Sequence, residues 1–285
     1  MAYGFQKELD ETLGVLRNIR DKLSQLKTAI SRERISLASR LDMTIFFINR
    51  ALMTLEELTT SEAQGLITQT QGEVMDIEVE RDLIELNKKL ADENKRLLDQ
   101  YGVKAIDFMG SLGAGKTSII EALIERLKPK YRIAVIVGDV STTIDSDRIS
   151  KHGVKAIQIN TGRECHLDAQ LVKRALQAID LSNIDLLLLE NVGNLICPAD
   201  FPLGAHTRVV VISVSEGKDM VVKHPLSFRD VDVVVINKVD VVDIFNVDPY
   251  ALAEDVKKIN PKAKVVLTSA RKGQGIDDLI KALNL

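Results

Sequence analysis

The sequence predicts an α/β domain, a mostly parallel sheet with helices on both faces, preceded by an α-helical N-terminal extension. Three observations carry this reading. From Val103 onward, short runs that are β-branched or leucine-rich and nearly continuous in apolarity alternate with helical segments, as strands buried on both faces do. Gly110-Ser-Leu-Gly-Ala-Gly-Lys-Thr117 stands between one such run and an amphipathic helix, the strand, loop, helix setting of a phosphate-binding loop. Residues 5 to about 60 contain no proline and place apolar residues at alternating intervals of three and four.

With 285 residues, 45% of them apolar, the chain suits one large domain plus an appendage, or two modest ones. A formal net charge of -3 provides no basic excess to neutralise phosphates, so nucleic acid is not an expected partner. No basic start leads into an apolar leader, and no run approaches the ~20 apolar residues of a bilayer span, so a cytoplasmic protein without a membrane partner is expected. The two cysteines, Cys165 and Cys197, are too few for a disulfide framework. In a reducing compartment they read as buried thiols, metal ligands or nucleophiles.

The extension, residues 1–72, has a first seam through Leu9, Leu16, Ile19, Leu23, Leu26, Ile30 and Leu37. A second apolar side follows through Leu41, Ile45, Ile48, Leu52 and Leu55. This is a coiled coil or a helical hairpin, serving either packing and dimerisation or the docking of a partner protein. Residues 59–76 are polar with two glycines and read as a linker. The second domain, 77–285, opens with a helix whose apolar stripe is expected at Leu83, Leu86, Leu90 and Leu97. Lys88, Lys89, Lys95 and Arg96 lie towards its C-terminal end, where the helix dipole favours cations, and Gly102 stops it. Strands are then expected at Val103 to Met109 and at 132–137, 154–159, 185–189, 208–214, 231–236 and 264–267, with ligands at their carboxyl ends.

Several stretches carry chemistry. In the loop, Gly110 and Gly115 can take angles that turn backbone N–H groups onto phosphate oxygens, and the helix behind adds its positive end. Gly110, Ser111, Gly113, Ala114, Gly115, Lys116, Thr117 and Ser118 are therefore the nucleotide-binding candidates, with Lys116 on the β- and γ-phosphates and the Thr117 hydroxyl on magnesium. Asn237-Lys238-Val-Asp240 follows a strand directly. Asp240 can accept two hydrogen bonds from guanine, Lys238 can lie over the base, and Ser269 and Ala270 stand where a second base-contacting loop belongs, so GTP is favoured over ATP. Glu190 and Asp139 end strands as candidate magnesium ligands, or else as helix caps, and Gly193 could bond the γ-phosphate. Lys116, Thr117, Asp139, Glu190 and Gly193 form the candidate catalytic set. Cys165-His166 and Cys197 sit in loops at the same rim, a soft donor set suited to nickel or zinc, or else two ordinary thiols beside a histidine.

From about Glu78 to its end the chain resembles the HypB family of hydrogenase maturation GTPases, which are nickel-incorporation accessory proteins. The likeness runs through Asp107-Phe-Met-Gly-Ser-Leu-Gly-Ala-Gly-Lys-Thr117, Gly138-Asp-Val140, Asn160-Thr-Gly-Arg-Glu-Cys-His-Leu-Asp-Ala169, Glu190-Asn-Val-Gly-Asn-Leu-Ile-Cys-Pro-Ala-Asp200, Glu216-Gly and Asn237-Lys-Val-Asp240. The cysteine-bearing pair of motifs is the specific part. The resemblance implies a P-loop GTPase that hydrolyses GTP to GDP and forms a GTP-promoted homodimer. It also implies that Cys165, His166 and Cys197 hold nickel or zinc near the subunit interface. Nickel would pass to the large subunit of a nickel-iron hydrogenase, with the zinc-containing accessory protein HypA as partner. The cysteine-rich or histidine-rich N-terminal tract of many members is missing, and the helical extension in its place is not covered by the likeness. Urease-type accessory GTPases share the architecture, and a nucleotide-binding metal sensor or scaffold is a further alternative. No glutamine stands where one would position water, so slow hydrolysis is expected.

Overall fold

The structure, a computed structural model, describes residues 12–23, 79–140, 142–162 and 164–285. The chain divides into two units, Met1–Ile77 and Glu78–Leu285. In the first, residues 12–23 form a helix, α1. Of the expected seam, Leu16 and Leu23 are half-buried and Ile19 is exposed, while Leu13 is buried, so the inward stripe runs through residues 13, 16, 20 and 23 and leaves Ile19 on its flank. Leu9, Leu26, Ile30, Leu37, the second apolar side and the linker at 59–76 lie outside the described residues.

In the second unit the described strands are β1 (Lys104–Met109), β2 (Ile133–Asp139), β3 (Lys155–Asn160), β4 (Leu186–Glu190), β5 (Thr207–Ser213), β6 (Val233–Asn237) and β7 (Lys264–Leu267). They form one sheet in the order β3-β2-β4-β1-β5-β6-β7, with every pairing parallel. The helices are α2 (Val79–Gln100), α3 (Lys116–Leu127), α4 (Ile144–Ser150), α5 (Ala169–Gln177), α6 (Met220–Lys223), α7 (Leu226–Arg229), α8 (Val242–Phe245), α9 (Pro249–Ile259) and α10 (Ile276–Ala282). Alternate residues of each strand face opposite sides, which is why the runs are apolar throughout. Ile106 and Phe108 pack with Ile120, Leu123 and Ile124 of α3 on one face. Ala105 packs with Leu98 of α2 and with Val172 and Leu176 of α5 on the other, where Val210 and Ile212 meet Phe228 of α7 and Leu252 of α9. No helix among the described residues is long and apolar enough to cross a membrane.

Helix α2 corrects the sequence reading in two respects. Leu86 is 55% exposed, and the buried stripe is Asn87, Ala91, Asn94 and Leu98. Two asparagines can occupy that stripe because their amides bond main-chain atoms of Ala169, Pro202 and Leu203. None of the four cations falls in the last turn, so the dipole term does not reach them. Gly102 does end the helix, with a φ of 66°. His206 pins that end: its Nδ1 accepts from Ala105 N at 2.9 Å, which leaves the Nε2 proton for Asp99 at 2.9 Å.

Asp107 of β1 shares the inner face with Ala105 and Met109 and is fully buried. Arg208 of β5 places Nε 3.8 Å from its carboxylate. Burial, opposed by the Arg208 charge and the Asn191 amide, raises the carboxyl from the ordinary 3.8 to about 6. The folded chain therefore holds this proton more tightly than the unfolded chain, and the stability it contributes is present below pH 4 and lost as pH rises to about 6. Comparing wild type with Asp107→Asn by denaturant unfolding, the stability difference should move in the variant's favour by about 2 kcal/mol between pH 4 and pH 6.5. A difference independent of pH would show that Asp107 does not take up a proton in that window.

Candidate functional site

Strand β1 ends in the phosphate loop, and Gly110, Gly113 and Gly115 all take positive φ, at 150°, 81° and 102°. At Gly110 a Cβ would lie 2.1 Å from the Val211 carbonyl oxygen, and at Gly115 one would lie 2.4 Å from the Asn237 amide nitrogen, so the loop lies against β5 and β6 with no room for side chains. Lys116 folds back to donate from Nζ to the carbonyls of Gly110 at 2.9 Å and Ser111 at 3.3 Å, and burial lowers its pKa. A 350 Å³ cavity opens over the loop, lined by Gly113, Gly115, Lys116, Thr117 and Ser118 from one side and by Asp139, Glu190 and Gly193 from the other. Ala114 is fully buried behind it.

A second cavity of 280 Å³ shares Gly115, Ser118 and Lys238 with the first and is bounded by Asn237, Asp240, Ser269 and Ala270. These residues meet because β6 and β7 are neighbours and end at the same rim. Asn237 works from beneath: Oδ1 accepts from the Thr268 hydroxyl and the Ala270 N–H, both at 3.1 Å, and Nδ2 donates to the Ala114 carbonyl at 3.0 Å. It thus clips the phosphate loop to the loops that follow β6 and β7. The Ser269 hydroxyl donates to Asp240 at 2.6 Å, which lowers the Asp240 pKa and fixes a carboxylate where a base edge with two donors could meet it. Lys238 holds a left-handed φ of 63° and donates from Nζ to Ser215 at 3.1 Å. A larger depression of 490 Å³ lies at the opposite rim, by the strand starts Thr207, Val233 and Lys264, away from all of this chemistry.

The Glu190 carboxylate accepts from the Thr117 hydroxyl at 2.6 Å, and its second oxygen is buried without a partner. Burial raises Glu190 to about 7, against the Thr117 hydrogen bond and the Lys116 charge. A hydroxyl beside an orphaned carboxylate oxygen is a donor set that fits magnesium. Asp139 lines the same cavity while its two oxygens accept from the Thr142 N–H and hydroxyl, each at 3.0 Å. Gly193 is packed on the loop, where a Cβ would come within 3.0 Å of Leu112 Cα, and Asn194 pairs with Gly110 in a one-residue bridge.

The loop that begins at Glu190 continues into the turn Cys197–Ala199, and across from it the segment after β3 brings Cys165 and His166. The two sulfurs are 3.1 Å apart, His166 Nδ1 is 3.8 Å from Cys165, and all three donor atoms lie within 4.8 Å of one another. Bonds of ~2.0–2.3 Å to one ion can close such a span, so the set fits a soft divalent cation. The hydrogen bond to Cys197, then burial, raise the Cys165 pKa. His166 is buried with its ring 4.2 Å from that of Phe201. Gly138, at the end of β2, makes room for this loop, since a Cβ there would lie 2.7 Å from Leu167 Cγ.

Sequence reasoning missed Asp145 and Arg148, which also line the phosphate cavity and pair with each other at 3.2 Å. Their signal was the i,i+3 spacing on the helix that follows Gly138-Asp139. It also missed Asn191, whose Oδ1 accepts from Leu167 N at 2.9 Å, and Arg208, which donates to the Pro198 carbonyl at 2.7 Å. Lone polar residues next to apolar runs gave no pattern by which to find them.

The family model described as CobW/HypB/UreG, nucleotide-binding domain, matches residues 104–267. A Methanocaldococcus jannaschii protein described as a probable hydrogenase maturation factor HypB is 52% identical over 183 residues, 64% of this chain and 83% of its own length. The crystal structure of hydrogenase maturation factor HypB from Archaeoglobus fulgidus aligns with a TM-score of 0.66 at 44% identity, over 70% of this chain and 98% of that one. The crystal structure of HypB from Helicobacter pylori in complex with nickel aligns with a TM-score of 0.66 at 37% identity, over 70% and 93%. The phosphate loop, the paired loops after β6 and β7 and the facing cysteine loops all fall within or beside the matched region, and the chain belongs to the HypB branch of the CobW/HypB/UreG nucleotide-binding family.

Proposed function

We propose that this chain is a GTP-hydrolysing metallochaperone that binds nickel or zinc at Cys165, His166 and Cys197 and assists nickel insertion into a nickel-iron hydrogenase. One observation carries the reading: Glu190 in the phosphate cavity and Cys197 in the metal cluster belong to one short loop, so the nucleotide and metal sites are mechanically joined. Relatives described as hydrogenase maturation factors, one of them crystallised with nickel, support the cargo. Thr117 and Glu190, with Asp139 at the cavity wall, would hold magnesium, which supplies charge neutralisation at the β- and γ-phosphates. Lys116 and the loop N–H groups orient those phosphates, and the Gly193 segment follows the presence of the γ-phosphate. Closing that segment shifts Cys197 relative to Cys165, and hydrolysis relaxes it. Hydrolysis is slow, because no glutamine among the described residues lines the phosphate cavity to orient water.

Leu112, Val140, Ile144 and Ile196 are exposed apolar side chains on the loops and helix around the two sites. They favour a homodimer closed over bound GTP, with HypA and the hydrogenase large subunit as further partners in the cytoplasm. Residues 1–72 are an added helical extension for packing or docking, ahead of a nucleotide domain over 77–285.

Nickel and zinc affinities should differ at least tenfold, ~1.4 kcal/mol, between the GDP form and a form with a non-hydrolysable GTP analogue. Calorimetry checks this, with the Cys165→Ala, Cys197→Ala double variant losing the metal. Equal affinities in the two nucleotide forms would remove the coupling. Asp240→Asn should weaken GTP by ~100-fold or more and improve the triphosphate of xanthosine, whose 2-oxo group accepts from an asparagine amide; an unchanged preference would move the base elsewhere. Because Glu190 ionises near pH 7 and must be ionised to hold magnesium, magnesium-dependent nucleotide affinity should fall as pH drops from 8 to 6, approaching ~tenfold per unit. Glu190→Gln should lose both the affinity and this slope.

A further inference from the structure

The donor set rests on two separate loops, and helix α2 touches both. Asn87 accepts at Oδ1 from the N–H of Ala169, three residues after His166, and donates from Nδ2 to the carbonyl of Pro202, five residues after Cys197, both at 2.8 Å. Asn94, two turns further along the same stripe, donates from Nδ2 to the Ala169 carbonyl at 2.8 Å and to the Leu203 carbonyl at 3.1 Å. Each asparagine thus bridges the two loops, and together they take both polar groups of the Ala169 peptide. Asn87 is 5% exposed and Asn94 1%, so these bonds are made out of water. There a lost partner leaves an unsatisfied main-chain group.

The second loop is also pressed onto α2. A Cβ at Gly204 would stand 2.5 Å from the Ala91 carbonyl oxygen and 2.7 Å from Asn94 Cβ, so only glycine lets the chain run at this depth. Ala169 opens α5 and its N–H is one of the helix's unpaired first donors, so Asn87 completes the cap begun by Asp168, which accepts from Leu171 N at 2.7 Å. An apolar stripe would have packed α2 equally well. Two amides instead fix one register along the helix, which sets the separation of the loops.

We propose that Asn87 and Asn94 are positioning residues for the metal pair: by bridging the segment after Cys165-His166 to the segment after Cys197, they set the distance between the sulfur donors. This rests on the reading of Cys165, His166 and Cys197 as metal ligands. Outer-shell groups that orient ligands change metal affinity by ~10–100-fold when removed.

The test uses the full chain with nickel alone and zinc alone. Asn87→Ala and Asn94→Ala should each weaken nickel ~10–100-fold and shift the thiolate-to-nickel charge-transfer absorption, with GTP affinity kept within about twofold. Leu98→Ala, a core truncation on the same helix that removes no hydrogen bond to either loop, should lower thermal stability but leave nickel affinity and the spectrum of the folded protein unchanged. Should an alanine variant fail to fold, Asn87→Ser and Asn94→Ser, whose hydroxyl reaches one loop at most, carry the same expectation. Folded asparagine variants with wild-type affinity and spectrum would overturn the proposal, as would a Leu98→Ala effect of equal size. A wild-type chain that binds neither metal would overturn the ligand reading itself, and this assignment with it.

Discussion

The meeting of the phosphate loop with the loop that ends at Cys197 depends on the pairing of β1 with β4. Its register sets Phe108 opposite Glu190, and the N–H of Asn191 donates to the Phe108 carbonyl at 3.0 Å. Strand β1 then turns into the phosphate loop while β4 turns into the loop that ends at Cys197. Two segments distant in sequence therefore leave the sheet side by side, the phosphate loop and the loop that ends at Cys197. Parallel neighbours buried on both faces have little freedom to slip, since a shift of one residue would turn apolar side chains away from the core and bring others out of it.

Polar groups are few in this interior and each is costly, so their placement is informative. Glu190 and Asp107 both have raised pKa values because burial outweighs their cationic neighbours. Asp107 faces Arg208, Arg208 holds the carbonyls of Pro198 and Ala199, and Asn191 holds Leu167. Each cysteine loop thus has an anchor on the strands beneath it, and α2 adds a bridge over both. A change at Glu190 meets a chain already fastened at several points. The movement it can transmit is therefore small and directed, which suits the adjustment of a metal geometry better than a large rearrangement.

Much of this was legible in the residues. Seven apolar runs gave seven strands, since strands covered on both faces leave an unbroken signal. The phosphate loop, Asp240 with Ser269, Glu190 and the cysteines each come with a spacing or an element boundary that chemistry requires, and the structure gathers them at one rim. Helix α2 was misread because leucine counting assumes that the buried stripe is apolar, whereas here Asn87 and Asn94 displace Leu86 outward. Asn237 was legible as part of the Asn237-Lys-Val-Asp240 motif, but its hydrogen bonds to Ala114, Thr268 and Ala270 were not. In both cases the deciding partners lie far along the chain and most are main-chain atoms, and periodicity carries no information about those.

Gly138 shows what such packing means for inherited variation. It ends the strand that leads to Asp139, so by position it belongs to the phosphate side, and it borders that cavity. Its missing side chain is nonetheless the space that Leu167 fills, directly beside His166. Any larger residue at 138 would be absorbed first by the segment that carries Cys165 and His166. Alleles there would disturb the cysteine–histidine cluster before the nucleotide pocket, and a genetic screen scored on nucleotide alone would pass over them.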